Sequence, residues 1–289
     1  MNKIISILKT VPSLIKYKVS LAVTFTTVIG YLIYTGSFSF DILALILSVF
    51  ILAGGASALN EYQEKSFDAL MDRTKHRPIP SGKLSPLNAL LVSLLFIVAG
   101  VLLLYFFFGI VPALLGLFNI IWYNLLYTNL KKITAFAVVP GSLTGAVPAL
   151  IGWTAAGGYI FDAKIIIIGF FLFIWQIPHF WLLLIKYSKE YETAGYPSIY
   201  KVIHKENLKL ITFVWIIATS VTTLMFPLFH IITSIPFLIA LLVLNIWLVI
   251  TFTRLTFRMQ YELNFKKAFI TINLFMFLFM LLLTIGAFI

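Results

Sequence analysis

The sequence predicts an all-α membrane protein, a bundle of nine transmembrane helices with the N-terminus cytoplasmic and the C-terminus outside. Three observations carry this. Of 289 residues, 61% are hydrophobic and only 11% charged, whereas soluble domains carry about 25% charged residues. Apolar runs of 18 or more recur, each long enough to cross a bilayer. The basic residues alternate from one connection to the next, as they do when one side of a membrane retains them.

In order, the spans fall at 19–37, 41–60, 87–107, 110–128, 134–156, 163–186, 208–228, 230–250 and 267–288. Lys3, Lys9, Lys16 and Lys18 precede the first, with no signal-peptide pattern. Lys65, Arg73, Lys75, Arg77 and Lys83 follow the second, and Lys131 and Lys132 the fourth. Lys186, Lys189, Lys201, Lys205 and Lys209 follow the sixth; Arg254, Arg258, Lys266 and Lys267 follow the eighth. The opposite connections hold only Lys164, so 20 of the 21 Lys and Arg share the side that the positive-inside rule makes cytoplasmic. The net charge of +11 therefore reflects orientation and anionic headgroups, not nucleic acid. The chain reads as one polytopic domain, 1–289, of the inner (cytoplasmic) membrane. The absence of cysteine excludes disulfides, thiolate metal sites and a cysteine nucleophile.

Loop lengths single out the connections after spans 2 and 6, the longest and most polar. Their positions suggest two four-helix units with a ninth helix appended, without a clear residue-level repeat. Span 2 runs into NEYQEKSFDALMDRTKHRPIPSG, residues 60–82, where Asn60, Glu64, Asp68 and Asp72 follow at i+4 spacing. Each such step on a helix advances about 400° and rises about 6 Å, so the four would form one slowly winding stripe. Hard oxygen ligands in that pattern suit Mg²⁺, usually held by one or two carboxylates plus substrate phosphates. The following Arg73, Lys75, Arg77 and Lys83 suit the phosphates. The rival reading is a solvated loop. Against it, four of the ten acidic residues fall here, and three are in register with Asn60. Asp72 is either the end of the stripe or a helix-end charge paired to Arg73 or Lys75.

Span 4 ends in Asn124, Tyr127, Thr128, Asn129, Lys131 and Lys132. Tyr127 suits an interfacial anchor, while Asn124 lies within the span and needs partners. Span 5 is rich in Gly, Ala, Ser and Pro, which serve either close helix packing or a flat ligand. Span 6 ends in WQIPHFW, where Gln176 and His179 are polar at membrane depth. Trp175, Phe180 and Trp181 offer π faces that either stabilise a cation or form an ordinary aromatic belt. Lys186, Tyr187, Glu190 and Tyr191 follow, with Glu190 the best second carboxylate for a metal facing Asp68. Spans 7 to 9 offer little chemistry; His230 and His204 are poor ligand candidates.

With these residues in hand, the chain resembles the intramembrane prenyltransferases of the UbiA superfamily, over residues 15–285, and within it the haem-modifying branch. Three motifs carry the resemblance: Asn60-x3-Glu64-x3-Asp68 continued by Met71, Arg73, Thr74, Arg77, Pro78 and Ser81-Gly82; Tyr127-Thr128 and Leu130-Lys131 with Gly141, Gly145, Pro148 and Gly152-Trp153; and the WQxPHFW run with Glu190-Tyr191 and Ala194-Gly195-x-Pro197. The RTxxRP and WQxPHFW runs together are the specific part. Glu64 and Ser66 stand where the family usually has Asp, and Lys189-Glu190 replaces a usual Asp pair, which leaves the number of Mg²⁺ ions open.

The resemblance implies farnesyl diphosphate and haem B as substrates, Mg²⁺ as cofactor, and transfer of a hydroxyethylfarnesyl group to a porphyrin vinyl to give haem O. Asn60, Glu64, Asp68 and Glu190 would hold Mg²⁺ and, through it, diphosphate. Arg73, Lys75, Arg77 and Lys131 would neutralise the leaving group. Asn124, Gln176, His179, Trp181, Tyr187 and Tyr191 would line the substrates, with His179 a candidate to ligate haem iron or orient the porphyrin. Docking with haem A synthase or oxidase-assembly proteins stays open, as do a quinone-precursor or chlorophyll-like acceptor, a transporter, and a scaffold without catalysis.

Overall fold

A computed structural model describes residues 10–258 and 264–288. Lys3 and Lys9, counted above towards orientation, lie outside the described residues. Among the described residues nine helices are long and apolar enough to cross a membrane, and there is no strand. They are α1 (Tyr17–Thr35), α2 (Asp41–Asp68), α3 (Pro86–Phe108), α4 (Ile110–Leu130), α5 (Ala135–Ala155), α6 (Ala163–Lys186), α7 (Glu206–Phe229), α8 (Ile235–Phe257) and α9 (Phe265–Ala287).

Two spans depart from their expected bounds. Helix α2 does not stop at residue 60 but continues through Asp68, two turns beyond its apolar run, because its polar end is packed inside the protein. Helix α8 starts five residues later than expected. A 3₁₀ turn at Phe226–Phe229 and a left-handed His230 precede it, and Pro236 takes a first-turn position where its missing N–H costs nothing.

Each helix packs on the next, and α9 returns to α1, closing a ring. Helix α1 also packs along α5, dividing the ring into two lobes. One buried cluster joins α1, α2, α3 and α4 to one face of α5, through Leu45, Leu52, Leu104, Val147 and Ile151. The other gathers the far side of α5 with α6 to α9 around Phe171, Phe226, Phe275 and Phe279. The outward faces stay apolar, with Leu95, Phe106 and Leu114 exposed, as lipid contact requires.

The α1–α5 seam explains part of the small-residue content of span 5. A Cβ on Gly30 would clash with the Ala149 carbonyl, and one on Gly152 with the Thr27 carbonyl. Backbones can approach this closely only where side chains are absent. Substituting Gly152→Ala should lower the apparent Tm in detergent by several degrees. Gly286→Ala, where the nearest atom to the new methyl is 3.5 Å away, should change it little. Thermal unfolding followed by tryptophan fluorescence compares the two.

Candidate active site

Helix α2 carries Asn60, Glu64 and Asp68 on one face, and none is more than 3% exposed. Removing two carboxylates from water is costly unless cations answer them; two basic residues do so, and a third meets the amide on the same face. Lys16 Nζ donates to Asn60 Oδ1 at 2.7 Å. Lys131 pairs with Glu64. Arg77 donates to Asp68 Oδ2 at 2.6 Å. Asn60 also donates through Nδ2 to Thr128 Oγ1 at 3.2 Å, which joins α2 to the end of α4.

The sequence reading used Lys16 only for orientation. Its backbone is left-handed, φ 46° and ψ 55°, a region that costs a non-glycine residue about 1–3 kcal/mol. That turn starts α1 and directs the ammonium onto Asn60. Burial pulls the Lys16 pKa down to about 7, with Arg77 acting in the same direction and Glu64 and Asp68 opposing.

The fourth step of the stripe fails. Helix α2 ends at Asp68, so Asp72 falls in the following turns, exposed, and pairs with Lys75 at 2.5 Å. That pairing holds its carboxyl below the usual range. Asp72 and Lys75 therefore neutralise each other in solvent, and Lys75 is not gathered with the stripe. Arg73 is exposed and lies over the Tyr187 ring at 4.4 Å. Its backbone N–H donates to Glu190 Oε2 at 3.0 Å, so Glu190 braces the loop after α2.

Glu61, which sequence reasoning did not select, is fully buried, and its Oε1 accepts from the Ile79 N–H at 3.0 Å. Ile79 stands between two prolines, so its N–H is the one backbone donor that Pro78–Pro80 can offer. This bond fixes the segment beside Arg77. Asn124 lies in a π-helical stretch of α4, Ile121–Tyr127. It donates to the Ala56 carbonyl and Gln63 Oε1, at 3.1 and 3.2 Å, tying α4 to α2.

The WQxPHFW run divides among three faces of α6, because each residue turns about 100°. Gln176 faces α5, where its side-chain oxygen fills the space a Cβ on Gly145 would need. Phe180 stacks on Tyr127 at 6.1 Å, and Tyr127 on Tyr123 at 5.8 Å. Trp175 and His179 face α9: His179 is 5.0 Å from the rings of both Trp175 and Phe269. Trp181 points elsewhere, buried with Ala135, Ile177, Ile199 and Leu208. It is thus a core residue, contrary to the expectation of a substrate-lining ring. Tyr191 lines a small cavity with Tyr127, Lys131 and Pro197.

Among the described residues no three Asp, Glu or His side chains are gathered as a ready-made metal cage. The stripe still fits Mg²⁺. Asp68 Oδ1 is buried without a hydrogen-bond partner among the described residues, and Mg²⁺ is commonly held by one or two carboxylates with substrate phosphates completing its shell. Asn60, Glu64 and Asp68 are the residues that would hold it; Glu190, expected as a further ligand, is instead turned to the Arg73 N–H and is not gathered with them.

The fold and site together define a helical membrane protein with buried acids and basic residues gathered at one end of the bundle. The chain belongs to the UbiA prenyltransferase family, whose model matches residues 23–283. It is 35% identical over 220 residues to a protoheme IX farnesyltransferase of Nitratidesulfovibrio vulgaris (strain DP4), covering 76% of each chain. A solved structure of a digeranylgeranylglyceryl phosphate synthase matches at TM-score 0.78 and 19% identity, over 100% of this chain and 99% of that one. A UbiA homologue from Archaeoglobus fulgidus bound to DMAPP and Mg²⁺ matches at TM-score 0.68 and 14% identity, over 96% and 99%.

Removing Arg77 strands a buried carboxylate. Arg77→Leu should cost about 3 kcal/mol of stability, and adding Asp68→Asn should recover most of it. Unfolding titrations of both variants in mixed micelles measure the coupling.

Proposed function

We propose that this protein transfers a farnesyl group from farnesyl diphosphate to a vinyl group of haem B, giving haem O. The observation that supports it most is the buried Asn60–Glu64–Asp68 face with its three basic partners, at the end of an otherwise apolar helix. An apolar chain with a diphosphate head matches both parts of that helix. The similarity to protoheme IX farnesyltransferases supports haem as the acceptor.

In this reading Asn60, Glu64 and Asp68 would hold Mg²⁺, which would supply positive charge to the diphosphate. Lys16, Arg77 and Lys131 exchange their carboxylate or amide partners for phosphate oxygens and stabilise the leaving group where charge develops. Glu190 and Arg73 hold the loop that closes beside them. As the C1–O bond breaks, its electron pair leaves with diphosphate. The allylic cation is then faced by the rings of Tyr123, Tyr127 and Phe180 and screened from water. The vinyl π electrons form the new C–C bond, and water adds to the resulting porphyrin-side cation with loss of a proton. His179, whose Nδ1 has no partner among the described residues, is the group we assign to orienting the porphyrin.

Purified protein given haem B, farnesyl diphosphate and Mg²⁺ should yield a haem heavier by farnesyl plus water on mass spectrometry. Asp68→Ala should lower the rate by about 10²-fold or more, and chelating Mg²⁺ should abolish it. Unmodified haem, with farnesyl appearing instead on a quinone precursor, would move the acceptor and leave the donor chemistry in place.

We also place the basic rim in the cytoplasm. The chain contains no cysteine, so single cysteines report orientation directly. In intact cells Phe38→Cys should react with a membrane-impermeant maleimide, and His76→Cys only after permeabilisation. The reverse pattern would invert the topology.

A further inference from the structure

Tyr196 occupies the connection between the short helix Ser188–Thr193 and the 3₁₀ turn Ile199–Lys201. Gly195 has φ +87°, a conformation open to glycine. It folds the chain back so that the Tyr196 N–H donates to the Tyr191 carbonyl at 2.8 Å. The ring is thereby set against α2, 4.6 Å from the Phe67 ring, and packed with Met71 and Ala194. Phe67 lies on α2 between Glu64 and Asp68. The Lys131 ammonium, which pairs with Glu64, stands 5.4 Å from the centre of the Tyr196 ring.

Tyr196 is only 4% exposed, yet its hydroxyl has no hydrogen-bond partner among the described residues. Buried phenols ordinarily find one. Burial, then the charges of Glu64 and Asp68, push its pKa up, so it remains a donor. Lys131 pairs with Glu64 and Arg77 with one oxygen of Asp68, and neither carboxylate accepts from the Tyr196 hydroxyl. The hydroxyl is therefore a donor beside the acid face without an acceptor of its own.

We infer that the Tyr196 hydroxyl donates a hydrogen bond to a diphosphate oxygen of the bound prenyl donor. The inference rests on the reading that this site takes a prenyl diphosphate, since that substrate is what would bring an acceptor. A bond to a charged oxygen makes the binding of diphosphate, whether prenylated or free, sensitive to one atom outside the acid stripe. The same atom is a liability without ligand, because a buried unpaired hydroxyl keeps its desolvation cost. Binding and stability should consequently respond to its removal in opposite directions.

Tyr196→Phe removes only that atom. With inorganic pyrophosphate and Mg²⁺ in titration calorimetry, the variant should bind about tenfold more weakly than wild type. Its KM for farnesyl diphosphate should rise while its KM for haem B does not. Its ligand-free Tm should equal or exceed that of wild type. Unchanged pyrophosphate affinity would overturn the inference, as would a lower ligand-free Tm with KM for both substrates raised alike, the signature of a packing role. Wild-type protein that binds no pyrophosphate would sink the diphosphate reading along with this one. Binding by wild type with the same affinity in the variant would sink this one alone.

Discussion

The desolvated charges at the end of α2 set the terms for the rest of the molecule. Glu64 and Asp68 are nearly out of water, and a buried carboxylate is tolerable only when a cation and hydrogen bonds replace its hydration. Arg77, in the loop after α2, answers Asp68; Lys131, after α4, answers Glu64; and Lys16, ahead of α1, bonds to the neighbouring Asn60. Meeting at one helix face, they fix how three chain segments converge. Glu61 on Ile79 and Glu190 on Arg73 then hold the intervening loop at two further points. Polar interactions thus determine the shape of the rim, while apolar packing determines the bundle beneath it.

Much of this was legible from sequence because membrane solvation makes sequence simple. Twenty apolar residues have few alternatives to a spanning helix, and a three-member i+4 pattern stays in register if the helix continues. Asn60, Glu64 and Asp68 duly share a face. Asp72 did not follow, since spacing says nothing about where a helix stops. Lys16 and Tyr196 escaped notice for a different reason. Each reaches the site from a distant segment through a backbone turn, at Lys16 itself and at Gly195, and a one-dimensional pattern carries no trace of such an approach. Trp181 shows the converse: adjacency in WQxPHFW does not carry shared orientation, because neighbouring helical positions face different ways.

The small residues of α5 resolve into particular contacts. Gly152 admits the α1 backbone, Gly141 lies against the Tyr127 ring, and Gly145 makes room for Gln176. The first is packing of backbone on backbone. The other two determine where an aromatic ring and an amide can stand at the head of the apolar interior. Close packing, one of the two meanings that the sequence allowed for this composition, is thus seen at each of the three glycines.

The length of α2 carries one more implication. At 28 residues it measures about 42 Å, against a hydrocarbon core of about 30 Å. The helix is thus longer than that core is thick, and its acid face lies in the turns beyond its apolar run. An amphiphile with a charged head and a long tail already adopts that division in a bilayer and need not cross into bulk water to reach such a surface. For a reaction arranged in this way, the governing concentration is a mole fraction in the lipid plane. Diluting the membrane with inert lipid would then slow turnover even when the total amount of substrate in the vessel is unchanged.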